Sequence, residues 1–286
     1  MKYNSWRTVD VTLPDQGFLD LPPLRLEYRM IGPRPDSAPT IVMLHEGLGC
    51  VGLWGAFPEQ LAAATGAGVF VYSRAGYGKS SPGKLPRPVN FMDEEALDVL
   101  PRVLEAIGFR RGILFGHSDG ASIAAIYAGS VEDHRVRGLV LWAPHFFTED
   151  MGLVEIRRAR EAFESGVLRD RLKRWHEDVD CAFYSWNGPW LDPAFKAWDI
   201  TEALGYIRVP ILIVQGADDQ YGTVRQVEAA RDECYCPVEI AVLPGVRHSP
   251  HRDAPEIALR TSADFINRLL RDHGEAEKPT AAGVAA

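Results

Sequence analysis

Gly116-His117-Ser118-Asp119-Gly120 is the stretch of this 286-residue chain best suited to chemistry. A hydroxyl-bearing residue sits between two glycines, after the apolar run Ile113-Leu114-Phe115 and before the small-residue run Ala121-Ser122-Ile123-Ala124-Ala125. A strand, a sharp turn and a helix in that order lift a serine hydroxyl to the end of a sheet. So tight a turn brings backbone close to residues 116 and 120, where side chains would collide with the adjacent strand and helix. The positive end of the helix that starts here favours negative charge developing beside Ser118.

A hydroxyl of ordinary acidity is a poor nucleophile, so Ser118 needs a base, and the base needs a group to orient it. The late segment Pro244-Gly245-Val246-Arg247-His248-Ser249-Pro250-His251 holds two histidines. His248 follows a strand and the Gly245 turn and is assigned as the base; His251, nearer the closing helix, is expected to be solvated or to cap it. His45 and His117 lie in motifs with other work, while His134, His145, His176 and His273 fall outside any strand end expected to face Ser118. For the orienting acid, an apolar run at 211–215 ends in Gly216-Ala217-Asp218-Asp219-Gln220-Tyr221-Gly222. Neighbours in a turn point apart, so one aspartate reaches the histidine and the other faces solvent or caps the turn. The Gly-x-x-Asp spacing favours Asp219, with Asp218 as the alternative. The run at 136–143 ends in Trp142-Ala143-Pro144, which is not ionisable.

The elements that must position these residues show in the hydropathy pattern. Short apolar runs alternate with helical periodicity, the signature of a parallel sheet with crossover helices. Segments 7–12 and 24–28 alternate polar and apolar residues and predict an antiparallel entry pair. Buried-type strands are predicted at 40–45, 69–72, 112–115, 136–143, 209–215 and 238–243, and helices at 57–64, 93–107, 121–129 and 254–271. Between 145 and 206 the strand pattern stops, and charged and aromatic residues take over, among them Trp175, Phe183, Tyr184, Trp186, Trp190 and Trp198. One domain built from 1–144 and 207–272, carrying a mainly helical insertion at 145–206, is the organisation this implies. The Ala-, Gly- and charge-rich end, 273–286, is expected to be disordered.

Composition narrows the partners. With 31 Lys and Arg against 39 Asp and Glu the net charge is −8, and no basic stripe offers counterion release on a phosphate backbone, so nucleic acid is not expected. No apolar run approaches the roughly 20 residues of a membrane span. Met1-Lys2-Tyr3-Asn4-Ser5-Trp6-Arg7 lacks the apolar stretch of a secretion signal. Four scattered cysteines, Cys50, Cys181, Cys234 and Cys236, fit a reduced, cytoplasmic protein. No second Cys or His pair stands at ligand spacing from Cys234 and Cys236, so no metal is expected.

Taken together, these motifs resemble the α/β-hydrolase superfamily, in its capped, esterase-like branch, over about residues 7–272. Ser118, Asp219 and His248 occur in that superfamily's order. His45-Glu46-Gly47-Leu48-Gly49 is similar to its His-Gly-Gly-type oxyanion loop, and Ser73-Arg74-Ala75-Gly76-Tyr77-Gly78-Lys79-Ser80 to its Gly-x-Gly-x-Ser turn. Two positions depart from the pattern: Glu46 replaces the first glycine of the loop, and Ser73 replaces the acidic residue that opens the turn. The resemblance implies an α/β fold, a mostly parallel sheet with helices on both faces and a helical cap. It implies an oxyanion site made by the amides of Asp119 and Gly47, with Leu48 the other candidate for the second amide. Substrate contacts are expected from Glu46, Leu48, Trp186 and Phe146; Glu46 either faces substrate or is hydrogen-bonded to its own loop or to Arg74.

The chemistry implied is acyl transfer to water on a small-molecule substrate, without metal or organic cofactor, a homodimer being left open. Esters of small to medium apolar acids head the expectation, with long-chain lipids and peptides disfavoured by a closed cap. The alternative is hydrolysis of carbon–carbon bonds in dienone acids, which would want a basic group for the substrate carboxylate. A non-catalytic receptor on the same fold is disfavoured by the complete Ser-His-Asp set.

Overall fold

The computed structural model describes residues 13–272. In chain order its strands are β1 (Gln16–Leu21), β2 (Leu24–Ile31), β3 (Thr40–Leu44), β4 (Gly68–Tyr72), β5 (Gly112–His117), β6 (Val136–Trp142), β7 (Ile211–Gly216) and β8 (Val238–Leu243). They form one sheet in the spatial order β1-β2-β4-β3-β5-β6-β7-β8. The first two strands run antiparallel to their neighbours, and the six from β4 to β8 are parallel.

The predicted entry pair is half corrected. Segment 7–12 lies outside the described residues, and the partner of β2 is β1, in register from Gln16↔Arg29 to Leu21↔Leu24. Its alternation was blurred because Phe18 turns outward, next to buried Leu19, and lies under the Arg25 guanidinium at 3.9 Å. All six strands predicted between 40 and 243 are present, within two residues at each end.

The helices are α1 (Phe57–Thr65), α2 (Phe91–Glu94) and α3 (Leu100–Ala106), joined by one wide turn at Glu95–Val99, then α4 (Asp119–Ser130). Between β6 and β7 come α5 (Asp150–Glu164), α6 (Val167–Leu172), α7 (Val179–Trp190) and α8 (Thr201–Leu204). The last three are α9 (Val224–Glu233), which the sequence reading does not anticipate, α10 (Pro250–Asp253) and α11 (Pro255–Asp272).

The strand period of two sorts the core into two faces. Ile41 and Met43, with Val69, Val71 and Phe115, pack with Leu61 of α1 and Phe265 and Ile266 of α11. Val42 and Leu44, with Phe70, Leu114 and Leu139, pack with Leu104 of α3 and Ile123 and Ala124 of α4. Strands buried on both faces read as continuous apolar runs, which is why they were legible. Each such Val, Leu, Ile or Phe contributes about 1.5–3 kcal/mol by leaving water.

Chain order also sets where a site can form. From β3 the chain moves to β4 on one side, then returns to β5 on the other side of β3 and continues toward β8. At that reversal the loops leaving β3 and β5 diverge, which opens a crevice at the carboxyl ends of the strands. His45–Gly49 leaves β3 there, and Ser118 leaves β5. No helix among the described residues is long and apolar enough to cross a membrane.

Candidate active site

Ser118 sits between β5 and α4 with φ 53° and ψ −121°, a left-handed φ for a residue with a Cβ. Such strain costs of order 1–3 kcal/mol and persists only where the surroundings impose it. They do so here. A Cβ at 116 would stand 2.3 Å from the Gly120 carbonyl oxygen, and one at 120 would stand 2.1 Å from that of Leu44. The Ser118 amide donates to the Trp142 carbonyl at 2.8 Å, which ties the turn to β6.

Three side chains brought from distant parts of the chain meet in a line. Ser118 Oγ lies 2.9 Å from His248 Nε2, and His248 Nδ1 lies 2.8 and 3.0 Å from the two oxygens of Asp219. Asp219 is buried and accepts further bonds from Gln215 Nε2 (2.9 Å) and the Tyr221 amide (2.8 Å). Burial works against its charge, but His248 and the Tyr221 amide outweigh it and hold the carboxyl down at about 2. Asp218 is exposed, with its amide on the Val246 carbonyl. The structure therefore brings Asp219, not Asp218, to the histidine.

Above this line lies a cavity of about 240 Å³. Its walls include Glu46, Gly47 and Leu48 from the loop after β3, Ser118 and Asp119 at the start of α4, and Trp186 and Trp190 of α7. A Cβ on Gly47 would fall 2.1 Å from the Trp186 ring, so glycine there lets the indole lie against the loop. The amide of Asp119 is the first of α4 and by position has no acceptor within the helix. Asp119 itself is fully buried, accepts from Trp190 Nε1 at 3.1 Å, and is pushed up by burial from the usual carboxylate range.

Three sequence expectations are corrected here, and one alternative for Glu46 is removed. Phe146 is not at the cavity: it is wholly buried in the core, its amide donating to Gln226 Oε1 and its carbonyl accepting from Ile200, both at 2.7 Å. His145 does face the site, lining the cavity with its ring 5.6 Å from that of His248. The chain turns sharply after β6, at Ala143 (φ 44°), and this rotates residue 145 rather than 146 toward Ser118. His251 is half-buried rather than solvated, and its ring is not a cap. It stacks on Trp142 and contacts Trp54 and His117, at ring separations of 5.8, 5.6 and 5.6 Å. Finally, Arg74 holds the main-chain carbonyls of His45 and Glu46, whereas the Glu46 carboxylate faces His117.

Of the six aromatic residues singled out between 145 and 206, only Trp186 and Trp190 line the cavity. Phe183 stacks on Phe163 at 3.8 Å, Trp198 on Phe195 at 5.1 Å, and Trp175 is exposed. Ile156, Tyr221, Gln220, Ser249 and Arg252 also line the cavity, and no pattern in the sequence marks them. The second departure from the family pattern is made good from another strand. Ser73 Oγ donates to Glu27 of β2 at 2.9 Å, so Glu27 places a carboxylate at the turn.

Burial drives two of these histidines to be neutral. His145 is lowered to about 3 by burial and by the nearby His248, and His251 to about 3 by burial and by His117. Both take up protons freely once unfolded, from the ordinary value of 6.5 downward. Stability is therefore expected to fall as pH drops below about 6.5, by up to ~1.4 kcal/mol per pH unit per histidine, until about pH 3. Asp219 acts in the same direction lower down: its depressed carboxyl contributes stability above the usual carboxylate range, and this is lost as pH falls toward 2. Urea unfolding at about pH 7.5, 5.5 and 4.5 should show a falling midpoint at constant slope; a midpoint unchanged down to 4.5 contradicts it.

A family model described as "Alpha/beta hydrolase family" matches residues 41–260. A proline iminopeptidase of Lactobacillus crispatus is 24% identical over 232 residues, covering 67% of this chain and 78% of that protein. Among solved structures, the enol-lactonase from Burkholderia xenovorans LB400 superposes with a TM-score of 0.67 at 20% identity, over 87% of this chain and 99% of the other. A structure from a study of carboxylesterases of the thaumarchaeon Nitrososphaera gargenis gives a TM-score of 0.71 at 18% identity, over 90% and 100%.

Proposed function

Since the chain belongs to the alpha/beta hydrolase family, we propose that it is a serine hydrolase that cleaves small to medium apolar carboxylic esters. The observation that carries this reading is the unbroken line Ser118 Oγ–His248–Asp219 beneath a small cavity walled by Trp186, Trp190, Leu48 and Ile156. In this reading His248 Nε2 takes the Ser118 proton as Oγ attacks the ester carbonyl carbon, and Asp219 stabilises the imidazolium that forms. The amides of Gly47 and Asp119 receive the developing oxyanion, helped by the positive end of α4. His248 then gives its proton to the departing alcohol and draws one from the water that releases the acid.

The segment between β6 and β7 acts as the cap, since α5 and α7 supply Ile156, Trp186 and Trp190 above the serine. At about 240 Å³ the cavity falls below the 300–1,000 Å³ usual for drug-sized ligands, which favours a compact acyl group. The apolar part of the wall contributes roughly 25 cal/mol per Å² of substrate surface it takes out of water.

A second reading rests on one observation. Arg252 lines the cavity and is exposed, which places a cation where the carboxylate of a dienone acid would need one. The two readings separate by measuring kcat/KM on p-nitrophenyl esters from acetate to palmitate, beside a coloured dienone acid and proline p-nitroanilide. The expected result is a maximum at short to medium acyl chains. Preference for palmitate overturns the small pocket. Preference for the dienone acid moves the function to C–C hydrolysis, and preference for the proline amide moves it to the activity named for the Lactobacillus relative.

A further inference from the structure

Behind the Ser118–His248–Asp219 line lies a second carboxylate–imidazole pair that the proposed mechanism leaves without work. His117, wholly buried, brings Nε2 within 2.7 Å of the main-chain carbonyl oxygen of His248. A carbonyl only accepts, so Nε2 carries a hydrogen. The other ring nitrogen, Nδ1, is buried without a hydrogen-bond partner and faces Glu46 Oε2 at 3.6 Å, ion-pair distance. Glu46 belongs to the loop whose next residue, Gly47, offers an oxyanion amide. It reaches His117 by folding back over Gly49, where a Cβ would stand 2.3 Å from Glu46 Oε2.

A carboxylate at this place has an electrostatic consequence. Negative charge beside Gly47 opposes the charge that develops on an oxyanion, and a partly buried site screens it poorly. The polar groups around Glu46 differ in whether they face its carboxylate. His45 is fixed as a neutral ring, since Nδ1 donates to the Glu46 carbonyl at 2.6 Å and Nε2 accepts from the Arg74 amide at 3.1 Å. His251, packed among Trp54, Trp142 and His117, is driven neutral by burial. His176 is spent on the Gly78 amide and the Leu48 carbonyl. Arg74 keeps its charge but turns its guanidinium to the main-chain carbonyls of His45 and Glu46 rather than to the carboxylate. His117 remains, with both ring nitrogens turned to acceptors. Glu46 itself is held below the usual carboxylate range: burial opposes its charge, and His117, facing it at 3.6 Å, is the largest influence against that burial.

We propose that Glu46 and His117 are a positioning pair: the free Nδ1 of His117 faces the Glu46 carboxylate beside the oxyanion amides, and its Nε2 anchors the main chain of His248. The pair links the loop after β3 to the loop after β8, so one contact sets the two sides of the reacting centre. The proposal rests on the serine hydrolase reading above.

Its test is a double-mutant cycle on the full chain, with p-nitrophenyl butyrate as substrate and a fluorophosphonate to count reactive serines. H117F removes the anchor and strands the carboxylate, so kcat should fall on the order of 100-fold, the scale of losing one oxyanion donor, with KM nearly unchanged. Adding E46Q to H117F removes the stranded charge and should restore kcat by about tenfold, a coupling that independent sites do not show. A ring that merely fills space between Trp54 and Trp142 gains nothing from E46Q. If the double variant is no faster than H117F, or if E46Q alone is as damaging as H117F, the pair is overturned. Should H117F fail to fold, H117Q keeps a donor for the His248 carbonyl and carries the same comparison with and without E46Q. Fluorophosphonate labelling separates this failure from failure of the underlying reading. Absence of rescue with Ser118 still labelled overturns the pair alone, whereas unlabelled wild-type protein overturns the serine hydrolase reading.

Discussion

Ser118→Ala is expected to lower kcat for the best p-nitrophenyl ester by about four to six orders of magnitude while the protein stays folded. The hydroxyl is the only oxygen that His248 Nε2 meets at the elbow, at 2.9 Å, so no neighbouring group takes over the attack. The backbone should tolerate the change. Alanine carries the same Cβ as serine at φ 53°, so the strain of the turn is unaltered, and the bonds that hold it run through the Ser118 amide and carbonyl. One lost side-chain hydrogen bond is worth about 1 kcal/mol, or roughly 2–4 °C in Tm for a domain of this size. Thermal unfolding and single-turnover kinetics on the same preparation check both halves. Unaltered turnover in the variant would remove Ser118 from the mechanism, and a collapse of Tm would mean that the lost activity reports folding.

The second large effect is expected at Asp219→Asn, a fall in kcat of about 10⁴-fold. Donors from His248, Gln215 and Tyr221 converge on the two Asp219 oxygens. An asparagine offers one oxygen and one NH2 group, so one of these donors would meet another donor. If His248 yields, it turns over to the tautomer with its hydrogen on Nε2, which cannot accept the Ser118 proton. Asp218→Asn should leave kcat within about twofold, as exposed side chains outside such networks have small effects, and its amide bond to Val246 is untouched. Steady-state kinetics of the two variants decide the matter, and a reversed ranking would move the orienting role to Asp218.

The expectations that failed have two kinds of cause. The outward Phe18 hid β1, and α9 went unanticipated although Val227 and Ala230 form a buried stripe on it. His145, His251 and Phe146 were misplaced for another reason. Each follows a strand end or starts a short helix, where the direction of a side chain depends on one or two backbone angles rather than on a repeating pattern.

What this sequence determines by itself is local and periodic. Continuous apolar runs such as Ile41-Val42-Met43-Leu44 can be satisfied only by strands covered on both faces, and Gly116 and Gly120 only by a turn that backbone approaches closely, which forces Ser118 upward. The order of serine, aspartate and histidine along the chain is likewise readable without coordinates. Tertiary structure alone decided which groups meet. Asp219 and not Asp218 reaches His248, at the end of β7 where Gly216 lets the Val246 and Arg247 carbonyls approach closely. Ala143 at φ 44° brings His145 to the cavity and leaves Phe146 in the core. Glu46 finds His117, 71 positions later, because β3 and β5 are hydrogen-bonded neighbours. Contacts of that kind depend on strand order and on the exit angle of each loop, and those are fixed by the packing of the whole sheet, which no short window of residues contains.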